Sequence, residues 1–335
     1  LVERQQYTRD NPNDPEFGAQ WHLDNNGQTN GLAGEDINAT EIWDDYRGEG
    51  VIISIVDDGL DHEHPDIEDN YEPTYSYDWC NDDSDPAPSD WNGHGTAAAG
   101  VAAATGNNSL YVSGAAWEAT LAGSTLIACW ASDSTEADAL SFENDNIDIY
   151  SNSWGPSDDG STLEGPGPLT LAAFEEDAYW GRGGLGNSIT WAAGNGLGSD
   201  DNANKDGYAN SRFTIAVTAI THEGDQSYYA EPGANILVAA HSNGDGEGIT
   251  TTDITGSGGY NGSGNVTHTF GGTSSATPLA AGVIALMYDA NEDLTWRDVQ
   301  EILLRTARMN DLADSSWNTN GAGHDVSHKY GFGAV

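Results

Sequence analysis

Short apolar runs that alternate with helix-like stretches constrain this chain more than any other feature. Val51-Ile52-Ile53-Ser54-Ile55-Val56 runs straight into Asp57-Asp58-Gly59. A buried parallel strand has this look when it delivers side chains to a site at its C-terminal end. Leu121 to Ile127, Ile147 to Ser151, Ser188 to Ala193 and Phe213 to Ala219 are equally short and strand-like. Thr96 to Ala104, Ser134 to Glu143 and Leu169 to Trp180 read as helices among them. The alternation predicts an α/β fold, a mostly parallel central sheet with helices on both faces. Pro278 to Ala290 is almost wholly apolar and predicts a central helix. Thr295 to Arg308 is amphipathic, with Thr295 and Asp298 suited to its first turn. Gly244 to Gly264, rich in Gly, Ser and Thr, reads as a surface hairpin or loop. Residues 1–20 read as an N-terminal arm and 21–335 as one domain without repeats.

Apolar residues make up 37% of the 335, enough for a sizeable core. Ten Lys plus Arg stand against 54 Asp plus Glu, a formal net charge of −44. That excludes a general nucleic-acid binder, which needs a basic footprint. Self-repulsion on this scale opposes a compact state, so bound divalent cations and a salty environment are expected, while most isolated carboxylates simply sit in water. No run is long and apolar enough to span a membrane, and no segment reads as a signal peptide, which a mature secreted chain has lost. Cys80 and Cys129 allow one disulfide or two buried thiols. Neither has zinc-ligand spacing.

Four motifs carry chemistry. Asp57-Asp58-Gly59 ends the first strand, and Asn92-Gly93-His94-Gly95-Thr96 opens a small-residue helix. Ala193-Gly194-Asn195-Gly196 ends another strand, and Gly272-Thr273-Ser274-Ser275-Ala276-Thr277-Pro278 opens the central helix. Alone, each is weak: Asp-Gly is common turn chemistry. Together they supply every part of an acyl-transfer site. A hydroxyl needs an adjacent base to act as nucleophile, and an imidazole can take that proton and return it to the leaving amine. A buried carboxylate fixes the imidazole tautomer, and a side-chain amide donates to the developing oxyanion.

The chain order Asp…His…Ser and these signatures resemble the subtilase family. The resemblance implies a subtilisin-like three-layer fold, with Ser274 as nucleophile, His94 as general base and acid, and Asp57 as its orienting partner. Asn195 and the Ser274 N–H imply the oxyanion hole, helped by the dipole of the Pro278 helix. From Asp10 onward the chain is similar to the kexin/furin branch. This likeness is carried by Asp14-Pro15-Glu16-Phe17, Gln20-Trp21-His22-Leu23, Ser153-Trp154-Gly155-Pro156, Asp158-Asp159-Gly160, Asp206-Gly207-Tyr208, Leu294-Thr295-Trp296-Arg297-Asp298 and Val326-Ser327-His328-Lys329-Tyr330-Gly331.

That branch reads basic polypeptide substrates with carboxylates. The resemblance implies that Ser153, Trp154 and Gly155 bind the substrate and that Asp158 and Asp206 line the pocket for the residue before the scissile bond. Asp58 is implied at the next residue back, and Glu136 and Glu164 further along. The chain departs from the branch where Trp91 stands in place of an acid, with the neighbouring Asp90 as its candidate substitute, and where Ser157 and Trp130 replace outer acids, so strict dibasic selection does not follow. Ca²⁺, which takes carboxylate, amide and carbonyl oxygens, is implied at Asp14, Asp66 and Asn108 and again at Asp158, Asp201 and Glu231. The run Asp78, Asp82, Asp83 and Asp85 reads either as a third site or as a solvated acidic loop. Leu1 to Arg9 resembles the end of a propeptide cut after Arg9, with Arg4 further back, or else a mature arm. A P domain follows this point in many family members. The expected protein is therefore a secreted, calcium-dependent serine endopeptidase cutting after Arg or Lys. The alternatives are a broad degradative subtilase and an inactive calcium-bound binding module.

Overall fold

The computed structural model describes residues 11–89 and 91–335, so the expectations for Leu1 to Arg9 and for Asp90 lie outside the described residues. The run before Asp57 forms β1 (Ile52–Asp57). It is followed by β2 (Tyr77–Asp78), α1 (His94–Ala103), β3 (Thr120–Thr125), α2 (Asp133–Leu140), β4 (Ile149–Asn152), α3 (Pro168–Gly184) and β5 (Ser188–Ala192). Then come β6 (Thr214–Ile220), β7 (Ile236–His241), β8 (Ile249–Thr252), β9 (Val266–Phe270), α4 (Thr273–Ala290) and α5 (Trp296–Thr306). Strands β1 to β7 form one sheet in the order β2-β3-β1-β4-β5-β6-β7, and every neighbouring pair is parallel.

Alternation along each strand decides the layers. Ile53 and Ile55 of β1, Ile149 of β4, Val217 of β6 and Val238 of β7 pack in one cluster with residues of α1, α4 and α5. Val56, Tyr150, Ile189, Trp191 and Ala216 point the other way, onto Ala139 and Leu140 of α2 and Phe174 of α3. Both sheet faces are covered, which is why the runs are continuously apolar. The result is the expected three-layer α/β architecture, and the strands' C-terminal ends carry Asp57, Asn152 and the approach to Asn195.

Three elements differ from expectation. Helix α4 begins at Thr273, not Pro278. Gly-Thr-Ser-Ser has little intrinsic helix propensity, and packing of the buried Ser275, Ala276 and Thr277 overrides it. Strand β7 is an apolar run that the sequence reading does not include. Within Gly244 to Gly264, β8 pairs antiparallel with β9, which lies beyond Gly264, and all four β8 residues are buried. Its threonines are tolerated in the core because each hydroxyl has a partner, His268 Nδ1 for Thr250 (3.0 Å) and α1 for the other two. The hydroxyls of Thr251 and Thr252 donate to the carbonyls of Ala97 (2.8 Å) and Thr96 (2.7 Å). In α3 the backbone leaves helical geometry at Gly181, Arg182 and Gly183, so the regular helix stops near the expected Trp180.

Cys80 and Cys129 are bonded, with Cα atoms 5.7 Å apart and a sequence separation of 49. In the chain-entropy account such a closure stabilises by about 4 kcal/mol. Residues 14–20 pack on the body. Phe17 is buried, and Gln20 exchanges hydrogen bonds with the Ser113 backbone through Nε2 (2.7 Å) and Oε1 (2.8 Å).

Candidate active site

Asp57 is the last residue of β1 and His94 the first of α1. The two elements meet closely because Gly95 has no side chain: a Cβ there would stand 2.9 Å from Asp57 Cβ and overlap the Gly59 carbonyl. Asp57 Oδ1 then lies 2.8 Å from His94 Nδ1. Asp57 is almost fully buried, whereas a quarter of the His94 side chain (26%) is exposed, so the charge is sheltered and the ring accessible. Burial opposes protonation of His94, but the Asp57 charge and hydrogen bond, together with Asp58, outweigh it and raise the imidazole above its ordinary value.

The base must be neutral to accept a proton, so activity is lost as pH falls through that raised value. The acid limb of a kcat/KM profile is therefore expected above pH ~6.5. Asp58→Asn removes one of the raising charges and should move the limb to lower pH. A limb that stays put in that variant would remove Asp58 from the electrostatics of the base.

Asp58 also caps α1. Its Oδ1 accepts from Gly95 N–H (2.8 Å) and its Oδ2 from His94 N–H (3.4 Å). Both oxygens thus serve the helix N-terminus, a role the sequence does not announce. Burial and the neighbouring Asp57 raise the Asp58 carboxyl above the ordinary range.

Ser274 is the second residue of α4, in the turn whose N–H groups have no helical acceptor. Pro278, the fifth residue beyond Thr273, has no N–H to give its i−4 partner, the Ser274 carbonyl. That carbonyl instead accepts the Ser153 hydroxyl (3.0 Å), and Ser274 Oγ donates to the Ser153 carbonyl (3.2 Å). The reciprocal pair ties the start of α4 to the end of β4. The Ser274 hydroxyl therefore rests on Ser153 here, and catalytic hydrogen bonds are often not yet formed in sites without substrate.

Asn195 follows β5. Its Oδ1 accepts from Thr273 N–H (2.8 Å) and Thr273 Oγ1 (3.0 Å). A backbone N–H only donates, so the amide is fixed with oxygen on α4 and Nδ2 as its outward donor. Its own N–H donates to Asp158 Oδ2 (3.0 Å).

A pocket of about 110 Å³ opens beside Ser274, bounded by Ser153, Gly155, Asp158, Asn195 and Asp206 among others. Asp206 Oδ1 accepts from Tyr208 N–H (2.7 Å) and Ala209 N–H (3.3 Å), while Oδ2 faces Gly155, 2.9 Å from where a Cβ would stand. Burial, with Asp158 and Glu164 nearby, pushes Asp206 up to about 7, the mark of an anionic site short of a counter-ion. Glu164 is exposed next to it, and Glu136 is partly buried with Oε2 accepting from Tyr208 Oη (2.9 Å). Trp154 stacks edge-on against Trp191 and Tyr208 under the pocket.

The carboxylates expected to hold calcium were compared with what a hard cation needs. Asp14 and Asp66 are buried, and Asp66 Oδ1 accepts from Asn108 Nδ2 (3.1 Å). The loop 107–113 turns backbone N–H groups onto both, with Asn107 (2.7 Å) and Asn108 (3.0 Å) on Asp14 and Val112 (2.8 Å) on Asp66. Burial raises Asp66, and the Asp14 charge adds to the effect. Two sheltered carboxylates and an amide in contact fit a calcium site. Glu231 and Asp201 are buried, and Gly194 leaves a cradle that a Cβ would fill against the Glu231 carboxylate. Burial raises Glu231, with Asp158 and Asp201 adding to it. Lys205, not singled out in the sequence, reaches into the same place, 2.7 Å from the Gly160 carbonyl and 3.3 Å from Asp201 Oδ1. Its ammonium neutralises Asp201 alone, so Asp158 and Glu231 still fit a cation. In the run 78–85 each acid has a local partner: Asp78 takes Cys80 and Asn81 N–H, Asp82 takes Tyr77 Oη, Asp83 takes Asp85 N–H and Asp85 pairs with His62. These four do not converge. Among the described residues no three His, Cys, Asp or Glu side chains are drawn together at ligating distance.

A family model described as the subtilase family matches residues 48–333. A PC3-like endoprotease, variant B, of Hydra vulgaris is 44% identical over 97% of this chain and 46% of its own length. Furin of Bos taurus is 40% identical over 97% of this chain and 40% of its own length. The chain thus spans less than half of these curated relatives. Among solved structures, the serine protease of Aeromonas sobria in complex with the chaperone ORF2 covers the whole chain and 66% of its own, with a TM-score of 0.87 at 27% identity.

Proposed function

The chain belongs to the subtilase family, in its kexin/furin branch, and we propose that it is a secreted, calcium-dependent serine endopeptidase that cuts polypeptides after Arg or Lys. The observation that carries this reading is the pocket bordered by Ser274 and Asn195, with Asp158 and Asp206 as its charged members, and the Asp57–His94 pair at the head of α1, the helix packed with α4. Ser274 Oγ attacks the scissile carbonyl as His94 Nε2 takes its proton. Asn195 Nδ2 and the Ser274 N–H receive the oxyanion, and His94 returns the proton to the leaving amine. Ser153, Trp154 and Gly155 offer the backbone edge along which the substrate lies, and Asp58, Glu136 and Glu164 extend the negative charge beyond the first pocket.

Calcium fits best at Asp14, Asp66 and Asn108, and second at Asp158, Asp201 and Glu231, where it would supply positive charge and rigidity under the pocket. The Cys80–Cys129 disulfide suits an oxidising, extracellular setting. No helix among the described residues is long and apolar enough to cross a membrane. A propeptide and a P domain are the partners the branch implies. Exposure of Trp91 (89%) and Trp130 (90%) along the outer cleft favours looser selection there than strict dibasic cutting.

The test is mass-spectrometric mapping of cuts in a mixed peptide library with calcium present. Cuts after Arg and Lys are expected. Cuts after Leu, Phe or Tyr would replace the basic preference with a broad degradative one. Failure of a fluorophosphonate to label Ser274 would leave an inactive binding module.

A further inference from the structure

The loop 253–265 between β8 and β9 has no part in the triad, yet it is built with care. Asp253 is fully buried, and its carboxylate takes the N–H groups of Ile254 (2.9 Å), Tyr260 (3.0 Å) and Asn261 (2.6 Å). Asp61 Oδ2 holds Thr255 through its N–H (2.8 Å) and hydroxyl (2.7 Å), and Asn265 Nδ2 donates to Tyr111 Oη (3.0 Å). Burying a carboxylate costs free energy unless it is hydrogen-bonded, and here the bonds are spent on fixing one glycine-rich turn. What that turn presents is Tyr260. Its ring lies 5.7 Å from Phe270, and Phe270, buried, lies 5.4 Å edge-on from the His94 ring. Tyr260 is 45% exposed, and Asp57 and Asp58 are near enough for their charges, with burial, to raise its hydroxyl well above the ordinary value.

A half-exposed aromatic held this firmly beside a general base has one face left for a ligand. Its side of the cleft follows from the chemistry. The pocket of Gly155, Asp158, Asn195 and Asp206 receives the residue before the scissile bond. His94 passes its proton to the nitrogen of the residue after it. Neither Tyr260 nor Phe270 lines that pocket, and Phe270 meets the imidazole that serves the leaving residue, so the two rings are assigned to the leaving side.

We propose that Tyr260 is a specificity-determining residue: with Phe270 it forms an aromatic wall beside His94 that receives the side chain of the residue after the scissile bond and favours large apolar ones. The proposal rests on the endopeptidase reading. Two sets of peptides decide it, each with Arg before the bond and either Gly or Ala, or Leu or Phe, after it. In Tyr260→Ala, kcat/KM for the Leu and Phe peptides should fall ~10–100-fold, the scale of a lost apolar contact in a subsite, while the Gly and Ala peptides stay within about twofold. Tyr260→Phe keeps the ring and should restore the natural profile. An equal loss on every peptide would make Tyr260 a scaffold residue, and a change confined to a residue before the bond would place its wall elsewhere; either overturns the proposal. If the natural chain cuts none of these peptides, the endopeptidase reading fails on its own. Peptide affinity measured by fluorescence anisotropy on the natural chain and on Tyr260→Ala then decides the wall: selective loss for Leu and Phe supports it, and equal affinities overturn it.

Discussion

Ser274→Ala is expected to remove about six orders of magnitude from kcat, the scale seen when one member of a cooperating triad is lost. The geometry explains why so small a change does so much. Asp57 holds Nδ1 of His94 at 2.8 Å, which leaves Nε2 free to take a proton, and in the proposed mechanism that proton comes from the hydroxyl at position 274. His94→Ala should cost about as much, and the double variant no more than either, because base and nucleophile act as one unit. Asp57→Asn should cost less, on the order of 10⁴-fold, by presenting the wrong tautomer. Residual catalysis on the order of 10³-fold over water then belongs to Asn195 and the α4 N-terminus. Ser274→Ala deletes one oxygen whose present bond is to the Ser153 carbonyl, and the tie from Ser153 Oγ to the Ser274 carbonyl survives it. Single-turnover kinetics on a peptide amide, with thermal unfolding as the fold control, make the measurement. A variant that melts normally and keeps a hundredth of the rate would exclude Ser274 as the nucleophile.

Much of this site is legible because its parts are local. A strand that ends in Asp57, a helix that opens on His94 and a Gly-Thr-Ser turn are each contained in a few residues, and covered parallel strands declare themselves by continuous apolar runs. What fails to show in the sequence depends on contacts between distant segments. The start of α4 at Thr273 is invisible to propensity, since packing rather than residue type makes Thr273 to Thr277 helical. With it goes the function of Pro278, which frees the Ser274 carbonyl for Ser153. β8 reads as surface loop because three threonines look polar, and the α1 carbonyls that take Thr251 and Thr252 and the His268 ring that pairs with Thr250 reverse that. Asp58 reads as a substrate acid, and its use at the N-terminus of α1 is apparent only once His94 and Gly95 are placed. Lys205 sits four residues beyond Asp201, an ordinary surface spacing, until the Gly160 carbonyl closes over it. The run 78–85, which reads in sequence either as a calcium site or as an acidic loop, shows that density in sequence is not convergence in space, since each of those acids finds a separate partner.

Asp206→Asn is expected to lower kcat/KM for peptides with Arg before the scissile bond by ~10²–10⁴-fold, since removing one partner of a buried ion pair costs about 3–5 kcal/mol. Oδ1 of Asp206 is committed to the Tyr208 and Ala209 N–H groups, and Oδ2 faces the Gly155 edge of the pocket. An amide keeps the first role and loses the charge of the second. A guanidinium brought there would then be desolvated without an anion, whereas a neutral side chain would lose nothing, so peptides with Leu or Phe at that position should be cut no more slowly than before. Asp158→Ala, which removes the acceptor as well as the charge, should behave differently. Its carboxylate also holds the Asn195 N–H at 3.0 Å, so the loss should extend to neutral peptides through the oxyanion donor, beside a further loss for Arg. The comparison separates charge recognition from site geometry: a selective defect at 206 and a mixed defect at 158 place the anionic pocket where the fold puts it. Equal, unselective losses in both variants would mean that these acids hold the floor of the cleft together and do not read the substrate.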